Sequence, residues 1–118
     1  MFDLIDITAI ILAAFLVAVA LLNIKNGRYV LALAFVLIAF IPLMWAGLIR
    51  FHIPQTLIWM SMYIFAIIFL WQGFLGLVTR SVDNHIFALP DQFGEIGRNI
   101  LSILVSGVFA ILIVLTWY

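Results

Sequence analysis

The feature that most constrains this chain is the length of its uncharged apolar runs. Ile7 to Ile24 contains no Asp, Glu, Lys or Arg, and similar stretches recur over Tyr29 to Ile49, from Pro54 to about Val78, and from about Asn99 to Tyr118. At ~1.5 Å per helical residue, even the first run is just long enough for a ~30 Å hydrocarbon core. Composition agrees: of 118 residues, 69% are hydrophobic and 8% charged, with a mean hydropathy of +1.39, far from the roughly one-quarter charged residues of soluble domains. The formal net charge is zero, which leaves no electrostatic footprint for nucleic acid. Without cysteine, the chain has no disulfide, thiolate metal site or thiol redox chemistry of its own. The acidic start, Asp3 and Asp6 with no Lys or Arg before the first run, argues for a retained helix over a cleaved signal peptide, despite the small residues Ala18-Val19-Ala20.

The turns set the topology. In Asn23-Ile24-Lys25-Asn26-Gly27-Arg28, a glycine able to take positive φ follows the first helix, and two cations lie near that helix's C-terminal end. Arg50-Phe51-His52-Ile53-Pro54 closes the second turn, with Pro54 suited to the first turn of the third helix. Such short turns make consecutive helices antiparallel neighbours. Pro42 removes one backbone donor from the second helix and predicts a kink. The expected fold is all-α, an integral membrane four-helix bundle of two antiparallel hairpins forming a single transmembrane domain over 1–118. Its helices are expected over about 5–24, 29–49, 54–78 and 99–118, with a longer interfacial connector over 79–98.

That connector gathers Arg80, Asp83, Asp91, Glu95 and Arg98, half of all the charges, together with His85. Pro90, followed by acids and by apolar residues at helical spacing, reads as a turn running into the fourth helix, although Gly94 and Gly97 weaken the pattern. His85-Ile86-Phe87-Ala88-Leu89 is expected to lie on the membrane surface as an apolar patch. Lys25, Arg28, Arg80 and Arg98 fall on one side of the membrane and Arg50 alone on the other. The positive-inside rule then places the two cationic loops in the cytoplasm of a bacterial cell and both termini outside its inner membrane. In an organelle inner membrane, the same count points the connector at the matrix. Trp45, Trp59, Trp117 and Tyr118 are expected to form an aromatic belt at the outer interface.

Candidate chemistry is sparse. No ionisable residue falls deep within a span, which argues against proton relay or ion-coupled transport by this chain alone. His52 and His85 are the available haem ligands, but the topology sets them on opposite faces about 30 Å apart, so no cofactor is implied. Asp91 and Glu95 stand at i,i+4 spacing without a histidine partner and read as a solvated face with a Glu95–Arg98 pair; Asp91, Glu95 and Arg98 are also a candidate docking patch. Gln72 is the most polar residue inside the third helix and calls for an interhelical hydrogen bond, or a contact with a lipid or quinone head group. Ser102, Ser106 and Ala110 form a small-residue ridge on the fourth helix, and Ala9, Ala13, Ala14 and Ala18 do so on the first. In lipid, such ridges mark close helix approach, either of the first helix on the fourth or at an interface with another subunit.

No nucleophile–base pair, phosphate-cradling glycine loop or metal-ligand cluster is present, so the expectation is a non-catalytic protein. The leading reading is an accessory or assembly subunit of a larger membrane complex, respiratory or transport in kind, whose partners are membrane lipids and larger membrane-protein subunits. The alternative is a homo-oligomeric channel or small transporter with Gln72, Ser102 and Ser106 lining a path between subunits. A holin or immunity-type membrane protein is the third reading.

Overall fold

The computed structural model describes residues 3–80 and 86–117, with the backbone alone at Trp117. Four helices and no strand are present among these residues: α1 (Leu4–Lys25), α2 (Tyr29–Trp45), α3 (Gln55–Thr79) and α4 (Glu95–Trp117), with a 3-10 turn at Asp91–Phe93 before α4. Three helical stretches, Leu4–Lys25, Gln55–Thr79 and Glu95–Thr116, are long and apolar enough to cross a membrane. The chain is an integral membrane four-helix bundle. With 17 residues, α2 reaches only ~25 Å and is the short member.

Helix ends follow local chemistry. Asp3 caps α1 by accepting the Asp6 amide at 2.9 Å. α1 stops at a left-handed Gly27 (φ 79°), where the Arg28 amide turns back to the Asn23 carbonyl at 2.8 Å. α2 was expected to run to Ile49, but it ends at Trp45. Gly47 (φ 80°) lets Leu48 donate back to the Leu43 carbonyl at 2.9 Å, the same device that closes α1. Conversely, α4 starts earlier than the expected Asn99. Pro90 opens only the 3-10 turn, and Gly94 (φ 75°) breaks the chain direction before α4 begins at Glu95. Asp91 and Glu95 therefore do not share a helical face.

The bundle is built from two closely packed pairs, α1 with α2 and α3 with α4. Contact between α1 and α4 is slighter, and an apolar cleft of about 220 Å³ opens between them, bordered by Phe15 and Leu104. The small-residue ridges thus divide. Ala9, Ala13, Ser102 and Ser106 are buried, while Ala14, Ala18 and Ala110 face outward. The aromatic residues divide as well: Phe35, Phe69 and Phe109 are fully buried, whereas Trp59, Tyr63 and Phe74 are exposed. Trp45, expected in an interfacial belt, is buried instead, and its indole N–H donates to Thr116 Oγ1 at 2.7 Å. The Trp117 side chain and Tyr118 lie outside the described residues.

α3 and α4 approach closely at Gly73. A Cβ there would lie 2.7 Å from both the Asn99 carbonyl oxygen and Ile103 Cγ1. By contrast, Gly107 faces open space, with nothing within 4 Å of an added Cβ. Gly73→Ala is expected to destabilise the isolated chain by about 1–3 kcal/mol, because the α4 backbone must move. Gly107→Ala should be neutral or stabilising by up to about 1 kcal/mol, since only helix propensity changes. Unfolding titrations of both variants in mixed micelles separate the two; equal effects would contradict the close α3–α4 approach.

Candidate functional site

Polar side chains converge at the end of the bundle that holds the α1–α2 turn and the connector. Their centre is Gln72, about 10 Å before the end of α3 at Thr79 and 1% exposed. A primary amide offers two N–H donors and an oxygen with two lone pairs, and all four are used. Nε2 donates to the Phe87 carbonyl at 2.9 Å and to Ser102 Oγ at 3.0 Å. Oε1 accepts from the Ile86 and Phe87 amides at 3.2 and 3.1 Å. Gln72 pairs with both backbone groups of Phe87, much as a neighbouring strand would. The connector is irregular backbone carried below the end of α3, and such backbone is tolerated at membrane depth only where protein or enclosed water satisfies it.

The described part of the connector therefore does not lie flat on the membrane as its apolar sequence suggested. Leu89 is fully buried, and the Phe87 ring sits among Phe65, Phe69 and Phe35, with centroids at 5.4, 5.9 and 6.4 Å. His85 and Asp83 lie outside the described residues.

Charges fasten the outer part of this strap. Asp91 lies between two guanidinium groups, with Oδ2 3.1 Å from Arg28 and Oδ1 3.2 Å from Arg98. Arg98 also donates through Nε to the Leu89 carbonyl at 2.8 Å. Asn26 and Gln92 exchange side-chain amide bonds at 3.0 and 3.1 Å. The expected Glu95–Arg98 pair is not formed: Arg98 turns to the connector, and Glu95 is exposed without an ion pair among the described residues. The reason is the break at Gly94, which brings Asp91 rather than Glu95 to the guanidinium.

Ser106 donates to the Ala66 carbonyl at 2.6 Å, adding a second hydrogen bond between α3 and α4. Gln72, Ser102 and Ser106 thus all point into the protomer, where their hydrogen bonds hold α3, α4 and the connector together. Asn23 differs, because it is fully buried and neither polar atom of its amide has a partner among the described residues. Among the described residues no three His, Cys, Asp or Glu side chains cluster as a metal site would need. Sequence reasoning missed Phe87 and Gly73. Gly73 carries a readable signal, a glycine beside the one amide in the interior of a long apolar helix, whereas nothing local marks Phe87 as the partner of Gln72.

No protein-family model, curated protein or solved structure matches the chain.

Gln72→Leu removes the partner of the Ile86 amide and of the Phe87 amide and carbonyl and is expected to lower stability by roughly 2–4 kcal/mol. Ser102→Ala should cost only about 0.6–1 kcal/mol, since it breaks one interhelical bond. Limited proteolysis provides the check: cleavage within 80–90 should accelerate in Gln72→Leu well before the helices unfold. Unchanged cleavage would show that the connector does not depend on this amide.

Proposed function

We propose that this chain is a non-catalytic accessory or assembly subunit of a larger membrane complex, respiratory or transport in kind. The observation that carries the reading is the placement of small residues at the middle of outward faces. Ala14 and Ala18 lie on the exposed side of α1 among Ile11 and Leu21, and Gly107 lies on that of α4 between Leu104 and Ile111. Facing lipid, a small residue gains nothing over a large one. Against another helix, it permits close backbone approach, the main source of helix association in membranes. Gln72, Ser102 and Ser106 are meanwhile engaged within the chain, which favours a packing role over a conducting one. Two exposed charges at the connector end, Arg80 and Glu95, are available to a partner's loops.

The host membrane in this reading is the bacterial inner membrane, with both termini outside the cytoplasm. Support comes from the four-to-one division of Lys and Arg between the two ends. Because the chain has no cysteine, single-cysteine variants report on orientation without background. In intact cells, Arg50→Cys should react with an impermeant maleimide and Glu95→Cys should not, until the membrane is opened; the reverse pattern would invert the topology.

Mild solubilisation followed by tag capture and mass spectrometry tests the subunit role. The expected result is a defined set of larger membrane subunits in stoichiometric amount. Ala14→Leu with Ala18→Leu should abolish that set while leaving the isolated chain's stability within about 0.5 kcal/mol, as exposed substitutions do. Recovery of this chain alone, as a monomer or as a discrete oligomer, would refute the proposal.

A further inference from the structure

We propose that the groove between the start of α2 and the connector binds one anionic phospholipid, whether or not the chain has protein partners. The groove holds about 560 Å³, enough for a head group and the upper part of one acyl chain. Its character changes along the helix axis. Gly27, Arg28 and Tyr29 form the mouth, at the turn where the chain meets the membrane surface, and Val30, Ala34, Ile86 and Phe87 form apolar walls toward the bilayer interior. From Tyr29 to Ala34 the helix rises ~7.5 Å, so the polar-to-apolar change matches the step from phosphate to glycerol ester to acyl chain.

Charge selects the head group. Among the described residues, the carboxylate paired with Arg28 is Asp91, and Arg98 shares that carboxylate from the other side. Two guanidinium groups on one carboxylate leave a net positive charge, and Lys25, exposed in the last turn of α1, adds a further cation at the same α1–α2 turn. Arg28 is 40% exposed in its side chain, so it can meet a phosphate without giving up Asp91. The opening amides of α2 add donors on the same side, since Arg28 at the N-cap position makes no side-chain capping bond. An excess of cations above apolar walls, at the depth of the head groups, is complementary to a phosphodiester whose head carries no compensating ammonium.

Native mass spectrometry tests this on the full chain, released from micelles containing equal amounts of phosphatidylglycerol and phosphatidylcholine with the same acyl chains. One phosphatidylglycerol per chain should be retained in about five- to tenfold preference, from one charge-assisted contact near the membrane surface. Arg28→Gln should erase the preference, and Ala34→Phe, which fills the wall, should reduce retention of both lipids. Excess inorganic phosphate should not displace the lipid. Equal retention of the two lipids by the unmodified chain overturns the proposal, and that comparison needs no variant to fold. Preferential retention that survives both substitutions, or displacement by inorganic phosphate, overturns it as well.

Discussion

The structure depends on one requirement, that peptide groups carried below the membrane surface find partners without water. Four helices meet it internally, but the connector cannot, because Ile86 and Phe87 are not helical. The Gln72 amide meets it for them, and Ser102 takes the remaining donor. On one side of that polar centre, the Phe35, Phe65, Phe69 and Phe87 rings pack together. A buried polar group left unpaired costs about 1–3 kcal/mol, so four paired groups at one side chain outweigh any surface contact in the molecule.

A second requirement is to hold two helix pairs together when α1 meets α4, and α2 meets α3, over only limited surface. One end is joined by the connector, tied to the α1–α2 turn through Arg28–Asp91 and Asn26–Gln92. The other is joined by Trp45, which bonds Thr116 on α4 and lies against Trp59 on α3 at 5.7 Å. The two ties differ in strength. Asp91 is 56% exposed, and ion pairs of that kind contribute about 0–1 kcal/mol, whereas the Trp45 contact is buried.

The helices were legible because charge-free length is a local property, and Gly27 marked its turn for the same reason. Helix limits were less so. The run to Ile49 looked continuous because nothing in its hydropathy shows that Gly47 turns left-handed. Gln72 stands out as the one amide in the interior of its helix, but its partners do not, since Phe87 lies in a segment whose apolar residues carry no periodicity and could equally face lipid. Asp91 and Glu95 were misplaced by one conformational detail, the positive φ of Gly94. Spacing marks small-residue ridges on the first and fourth helices, yet a crossing too close for a Cβ is at Gly73 on the third. In each case the missing information is a contact between distant positions, which spacing within one segment does not encode.

Chain order gives the Gln72 arrangement a consequence for biosynthesis. Gln72 is synthesised and inserted with α3, while Phe87 and Ser102 are still to come. The partners that its amide has in the folded protein are therefore absent until the connector folds under it and α4 arrives. The second half of the protein matures as one unit after α4 is complete, whereas α1 and α2, joined by a short turn, can pair beforehand.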